Sequence, residues 1–547
     1  MKSFIALTTA LSVASLAHGQ QITKFRPADV QGGDGFAHSV ALSGGTLLIG
    51  SSQDDDPGGD SGSAYVWTGY GETWVQSAKL QASDGFSGAA LGHSVDLSGN
   101  TAILGAPLDD HVNGFNTKQG SAYVFIGSGA SWSQQAKLIA SDAGIADAFG
   151  TSAAIDGERA VVGAPDDNDL GVDSGSAYVF FRTGTTWSQV AKLLPSDGDA
   201  SDRFGFTVAI HGDTVVVGAP RANGGANASG AAYVFTWNGS TWSQQAKLQA
   251  ADPAHGDGFG RSVAVEGNEA VVGSFHDDDN GISSGSVYVF ERSGTVWSQD
   301  AKLTASDGQA FDGFGFSVAK DGDRIAVGAH GDSEPGAASG SLYVFERNGS
   351  GWSESSKHVA SDGARADFLG ACVALSGGVA ASGAPGDDAA DLNSGSLCLF
   401  WVASEPVPFC TSKPSSIPGC TPTFSAPAST ASVSGGPGSH TLSCGPVPGG
   451  NKVGIYIYST GALNPTPPTT PFGSLCLTGL VRGAPDLCGG TTGVCDGVLQ
   501  WDFGAQLPSL SALDPGDVVS LQAWYRDPPS VPGGANLSNG VQILIVP

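Results

Sequence analysis

The sequence is short of methionine and short of charge. One of its 547 residues is Met, the initiator, and 14% are Asp, Glu, Lys or Arg, against roughly 25% in ordinary soluble proteins. Basic residues are the scarcer kind: 24 Lys and Arg face 52 Asp and Glu, for a net charge of −28. That balance disfavours nucleic-acid backbones and anionic membranes as partners. A metal cation or a basic partner is the easier electrostatic match. Beyond the N-terminal stretch, no apolar run approaches the roughly 20 residues that a membrane span needs. Catalytic motifs are wanting too, with neither His-Glu-x-x-His nor a phosphate-binding Gly-x4-Gly-Lys. A lone Gly-x-Ser-x-Gly, Gly281–Gly285, lies in a loop rich in Ser and Gly, not between a strand and a helix as a nucleophile elbow would. No catalytic residue is assigned, and a non-enzyme is expected.

Glycine, by contrast, supplies 82 positions, about twice its usual share of roughly 7%. So much Gly with so little Lys, Glu and Met argues for short strands joined by tight turns. Residues 1–19 read as a secretory signal, with Lys2, an apolar stretch from Phe4 to Leu16, and Ala17-His18-Gly19 at the cleavage positions. The chain is therefore expected to be secreted or displayed at the cell surface.

A Trp-Ser-Gln-x-Ala-Lys-Leu phrase, with variations, starts at Trp74, Trp132, Trp187, Trp242, Trp297 and Trp352, at spacings of 58, 55, 55, 55 and 55. Between these markers every unit has one grammar. In the third unit, Phe149–Ile155 alternates as a strand ending at Asp156-Gly157-Glu158, and Ala160–Pro165 is a second, apolar strand. The loop Asp166–Gly175, a third strand Ser176–Phe180 and a fourth from Trp187 follow. Four strands per unit at this period predict propeller blades. First strands begin near Phe36, Leu91, Phe149, Phe204, Phe259, Phe314 and Leu369, which makes seven, but only six fourth strands are found. The seventh unit lacks the Trp-Ser phrase, and Gln21–Phe25 followed by Ala28-Asp29 matches Gln135–Leu138 followed by Ala140–Asp142. An N-terminal strand that completes the last blade would remove both sheet edges. The fold class expected is all-β: a seven-bladed β-propeller over 20–403 with a second, smaller disulfide-bonded β module over 404–547.

Phe149-Gly150 with Gly163-Ala164-Pro165, and Phe204-Gly205 with Gly218-Ala219-Pro220, resemble the FG-GAP repeat of integrin α-subunit propellers and many secreted bacterial proteins. Leu369-Gly370 and Gly273-Ser274-Phe275 are degenerate versions. The resemblance implies a propeller serving adhesion or recognition, and implies no reaction.

Strand order puts the first-to-second and third-to-fourth turns on one face of the ring. The second-to-third loops and blade-to-blade connections lie on the other. The first-to-second turns are minimal, as at Ser43-Gly44, Asp156-Gly157 and His211-Gly212, whereas the opposite loops are longer and acidic. Function tends to sit on loops displayed by a rigid scaffold, so a protein or glycan ligand is expected on the acidic face. Calcium is the cofactor these loops would take. In integrin-type blades, the resemblance implies, the calcium loop replaces the first-to-second turn, which here is too short. Asp166, Asp167, Asp169 and Asp173, or Asp277, Asp278 and Asp279 with Asn280, are the metal candidates. The competing reading of the same residues is a solvated loop that starts Asx turns.

A second set, Asp34, Asp147, Asp202, Asp257, Asp312 and Asp367, stands three before the glycine position of the Phe-Gly element in six of seven blades. A side chain that repeats with the fold is expected to bond backbone N–H groups at the start of each blade. His38 and His93 hold equivalent strand positions and could face the central channel or simply pack. Two further functions stay open: a secreted polysaccharide-acting enzyme with carboxylates at the channel, and a structural envelope component.

From 404 onward Pro and Gly rise and six cysteines gather: Cys410, Cys420, Cys444, Cys476, Cys488 and Cys495. In an exported chain these read as disulfides, with fifteen pairings open. Cys-x-x-Cys pairs for zinc are absent. Runs at Lys452–Tyr458, Val498–Phe503, Val518–Tyr525 and Val541–Val546 predict a β-sandwich-like module. Cys372 and Cys398 fall on strands two apart in blade seven, roughly 10 Å at a strand spacing of about 4.8 Å, too far for a direct disulfide.

Overall fold

The structure, a computed structural model, describes residues 21–402 except 57, 71–72, 111–116, 350 and 389–390, together with strands between 423 and 544. The expected leader at 1–19, the strand at Val498–Phe503, and Cys410, Cys420, Cys476, Cys488 and Cys495 lie outside the described residues. Cys444 falls on a described strand, Ser443–Gly445.

Seven four-stranded antiparallel sheets form the ring. Blade three shows the pattern, with strands Ser152–Asp156, Arg159–Ala164, Ser176–Thr183 and Thr186–Leu193 paired in chain order. Blade seven takes three strands from its own unit, Cys372–Ser376, Val379–Ala384 and Ser396–Trp401. Its fourth is Gln21–Phe25, antiparallel to Ser396–Trp401 with Lys24 opposite Cys398 and Phe25 opposite Leu397. The last blade is thus closed by the N-terminal strand, as the count of fourth strands predicts.

Two details differ from the sequence expectation. In blade three the first strand begins at Ser152 and not Phe149, because Gly150 at a φ of 98° turns the chain. Asp156 pairs with Arg159, so the hairpin loop proper is Gly157-Glu158, one residue later than expected, with Gly157 at a φ of 59°. A positive-φ glycine in the first loop position fits a two-residue turn that follows strand twist.

There is no single core. Each hydrophobic cluster lies between neighbouring sheets, as where Val161 and Val179 of blade three pack with Phe204, Val215, Val217 and Tyr233 of blade four. The Phe of Phe-Gly is fully buried in blades three to six, and Phe149 meets Tyr178 edge-on at 5.4 Å. Such pairs add about 0.5–1.5 kcal/mol beyond the area they bury.

The two halves of the repeat motif meet across blades. A Cβ placed on Gly163 would lie 1.9 Å from the carbonyl oxygen of Gly205 in the next blade, and the Ser152 hydroxyl donates to that same oxygen at 2.9 Å. Ser39, Ser94, Thr207, Ser262 and Ser317 repeat the bond at 2.7 to 3.0 Å. In blade seven the Cys372 thiol takes this place, 3.2 Å from the Ala37 carbonyl. A second ring of contacts pairs the glycine before each third strand with the Phe or Leu of the next blade, from Gly62 with Leu91 round to Gly395 with Phe36. Cys372 and Cys398 are free thiols, separated by the strand Val379–Ala384.

In the C-terminal part, Leu480–Arg482, Val453–Ser459, Val518–Arg526 and Ala535–Leu537 pair in that order, and Val541–Leu544 also pairs with Val518–Arg526. The described residues here form one five-stranded sheet and two separate two-stranded ladders. A second layer of a sandwich is not among them.

The inter-blade contacts give a direct test. Gly175 has a φ of 83° and a Cβ there would meet the Phe204 carbonyl at 2.0 Å, whereas Gly184 has a φ of 65° with nothing within 4 Å. Gly184→Ala should cost only the strain of a left-handed residue, about 1–2 kcal/mol. Gly175→Ala adds a backbone clash and should cost about 4 kcal/mol or more. Urea unfolding of both variants decides it; equal losses would refute the contact with Phe204 as the reason for glycine at 175.

Candidate functional site

The second-to-third loops and the blade-to-blade linkers share one face. One acidic residue of the loop points inward in six blades: Asp54, Asp109, Asp167, Asp277, Asp332 and Asp387 are each at most 5% exposed. Asp167 accepts from the Tyr178 hydroxyl at 2.7 Å and from the Lys192 ammonium at 2.9 Å. Lys192, the Lys of the Trp-Ser phrase, also reaches Asp142 in the preceding linker at 2.7 Å and Asp169 at 2.6 Å, with its Nζ 5.2 Å from the Tyr178 ring centroid. Lys79, Lys137, Lys302 and Lys357 repeat this arrangement, and Lys24 does so in blade seven, where Cys398 stands in the Tyr position. Burial alone would raise the Asp167 carboxyl, but hydrogen bonds from Lys192 and Tyr178 outweigh it and hold it below the usual carboxylate range. Burial would lower Lys192, and Asp142, Asp169 and Asp167 more than reverse that.

Blade four breaks the pattern. Ala222 replaces the aspartate, the buried Tyr233 hydroxyl is left without a hydrogen bond, and Lys247 keeps only Asp197 at 2.7 Å and the Asn223 carbonyl at 3.1 Å.

The metal candidates are divided among these local partners. Asp167 and Asp169 face Lys192, Asp166 pairs with Arg203 at 3.0 Å, and Asp173 donates its backbone N–H to Asn168 at 2.9 Å. Asp277 and Asp279 face Lys302, while Asp278 accepts the Ser283 N–H at 2.7 Å. Among the described residues, no three His, Cys, Asp or Glu side chains converge as a metal site. The second acidic set sits at the blade starts: Asp34, Asp147, Asp202, Asp257, Asp312 and Asp367 each accept the backbone N–H three residues before, at 2.5 to 2.8 Å.

The central channel opens between the loops as a cavity of about 730 Å³ lined by the first strands. His38 and His93 both face it, with ring centroids 4.8 Å apart. Burial lowers both imidazoles, His93 to about 3, so the pair is neutral at ordinary pH. Among the described residues none lining this cavity is acidic: the ring positions around it hold His, Thr, Phe, Arg and Ala. The ring position two after each Phe or Leu reads His38, His93, Thr151, Phe206, Arg261, Phe316 and Ala371. Arg261 lies against Phe316, Phe206 and Phe275, its guanidinium 4.0, 5.0 and 5.7 Å from their centroids. Phe275 and His330 take the place of the Pro in Gly-Ala-Pro, and the His330 ring stacks on Phe316 at 3.9 Å. Beside this cluster, between the loops of blades four and five, lies a second cavity of about 580 Å³, sharing Arg261 and Phe206 as walls. Sequence reasoning found His38 and His93 at this ring position but missed Arg261, Phe206 and Phe316. Aligning the seven units column by column was the signal that would have found them.

Two outcomes follow for stability. Lys192→Ala leaves Asp167 buried without its counter-charge and should cost about 2–3 kcal/mol. Lys247→Ala, with Ala222 in the loop, should cost about 1 kcal/mol or less; equal costs in chemical unfolding would refute the three-way contact. With pH, two groups act in opposite senses. Burial raises Asp34, Asp147, Asp202, Asp257, Asp312 and Asp367, and Asp96 to about 6. These hold protons more tightly in the fold, so stability falls as pH rises from about 4 through their folded values. Asp54, Asp84, Asp167, Asp252 and Asp307 are lowered. Their contribution is present above about pH 4 and is lost as pH falls through their folded values. The melting temperature should therefore be higher at about pH 5 than at pH 8 and drop steeply below about pH 3.5; a maximum at pH 7–8 would contradict this.

The family comparison agrees with the geometry. The FG-GAP repeat family model matches residues 20–67, 74–125, 132–180, 187–235, 242–290, 297–345 and 352–400. No curated protein matches the chain. Among solved structures, the chain is similar to Saccharomyces cerevisiae Sqt1, at 11% identity and a TM-score of 0.39 over 78% of this chain and 96% of that one. Seven matched repeats over more than half of the sequence, folded as seven blades whose Phe-Gly and Gly-Ala-Pro elements interlock, place it: the chain belongs to the FG-GAP repeat family.

Proposed function

We propose that this is an exported, non-enzymatic recognition protein that binds a protein or glycan ligand on the loop face of its propeller, around the channel mouth. One observation carries the reading. The residues that repeat from blade to blade serve the ring, whereas a cluster of non-repeating aromatic and basic residues gathers at one place on the loop face. Phe206, Arg261, Phe275, Phe316 and His330 come from blades four to six and line adjoining cavities there. Departures from an otherwise consistent pattern are expected at functional sites. The loop carboxylates support less of the binding than their number implies, because a Lys engages the inward one in each blade that has it, joined by a Tyr in all of them but blade seven.

The described lining of the channel-mouth cavity offers no carboxylate pair for hydrolysis. A purely structural envelope role leaves the broken symmetry of blades four to six without a purpose. Calcium on the loops would have to displace a lysine from Asp167 or Asp277.

The test is capture of extracellular proteins and glycans by the immobilised full chain. Phe316→Ala should weaken capture by about tenfold. Glu158→Gln, on the opposite face, should leave it unchanged. Loss confined to Glu158→Gln, or cleavage of a captured glycan, would overturn the reading. Chelation should leave capture and melting temperature unchanged; a fall of several degrees would assign a metal to the loops.

A further inference from the structure

The least expected group on this acidic molecule is the Arg261 guanidinium. No described side chain or carbonyl accepts a hydrogen bond from it, and no carboxylate pairs with it; its contacts are the faces of Phe206, Phe275 and Phe316. Burial lowers it only to about 10, so it carries its charge at neutral pH. A guanidinium offers five N–H donors in a planar fork. Holding it among aromatic rings without a counter-ion costs stability, and the six equivalent positions of the ring manage without one. The histidines nearby do not share the charge, since burial lowers His38, His93 and His330, the last to about 4.

The space around Arg261 is larger than a simple ion needs. The cavities of about 730 and 580 Å³ that share it fall in the range for organic ligands, roughly 300–1,000 Å³. The smaller is walled by Asn223, Asn227 and Ser201, which can serve hydroxyl groups, and by two more cations, Arg203, already paired with Asp166, and Arg221, exposed at the rim. Aromatic edges, amide groups and an unpaired arginine together fit a hydroxylated ring carrying a negative charge.

We propose that the channel mouth between blades four and six binds an acidic saccharide, its carboxylate or sulfate forked onto Arg261 and its hydroxyls on the amides of the adjoining loop. This rests on the loop-face reading above and names its ligand class. It also reverses the sign expected from the whole chain: the net charge of −28 acts at long range, where salt screens it beyond about 8 Å, while recognition is decided at contact by the local cation.

Calorimetric titration of the full chain tests it with four probes: a uronate trisaccharide, a sulfated disaccharide, the corresponding neutral trisaccharide, and inorganic sulfate. At least one acidic sugar should bind about tenfold or more tighter than the neutral one and than sulfate; which of the two does so identifies carboxylate or sulfate as the anion. Arg261→Gln should remove that preference and raise the melting temperature of the free protein by about 1–2 °C, because an unpaired, half-buried charge is lost. Arg261→Lys, which keeps the charge without the fork, should retain binding at reduced affinity and decides the matter if the Gln variant fails to fold. Equal affinity for neutral and acidic sugars, acidic binding unaffected at Arg261, or no binding of either acidic sugar would overturn the proposal. None of these would touch the capture experiment, in which Phe316→Ala reports on the loop face whatever the ligand.

Discussion

The architecture depends on how closely the inner strands of neighbouring blades approach. The carbonyl of each Phe-Gly glycine, or of Ala37 in blade one, lies where the Cβ of the preceding blade's Gly-Ala-Pro glycine would have to be. Only a residue without a side chain fits, and the hydroxyl beside it satisfies the carbonyl that the close approach removes from water. Repeated round the ring, that constraint accounts for the abundance of glycine and for packing in seven interfaces instead of one core. At the closing joint the approach is equally close, with Ala37 in place of the glycine and the Cys372 thiol in place of the hydroxyl, 3.2 Å from the carbonyl.

Charge on the loop face follows a similar economy. Each lysine of the Trp-Ser phrase lies over a tyrosine and, outside blade four, joins carboxylates of its own loop to one in the preceding linker, so that the inward carboxylates are neutralised at the joints between blades. Blade four, with Ala222, Arg203 and Arg221, departs from this scheme, and blades five and six depart from the ring pattern at Arg261 and Phe316. The departures adjoin. A propeller with a locally cationic, aromatic mouth in an acidic surround can exclude most anions at a distance while holding one at contact.

Much of the fold was legible because a propeller is nearly one-dimensional: a period of 55 residues in the chain is one sector in space. The count of seven first strands against six fourth strands required the Gln21–Phe25 strand to close the ring, and the structure pairs it with Ser396–Trp401. The candidate site was far less legible. Asp167 reads as a solvated loop acid until Lys192, 25 residues on, and Tyr178 are seen to enclose it. Arg261 reads as an ordinary surface residue in its own unit. Phe206 and Phe316, one repeat away on either side, are what surround it.

Composition, period and turn chemistry therefore determined the class, the number of blades and the manner of closure, since each depends on contacts between residues at constant separation along the chain. Which carboxylates were already neutralised, which face of each first strand looked into the channel, and that a lone arginine stood there among phenylalanines were decided only when the sectors closed. Those properties arise between blades, and a linear pattern records what recurs within a blade but not what its exceptions meet.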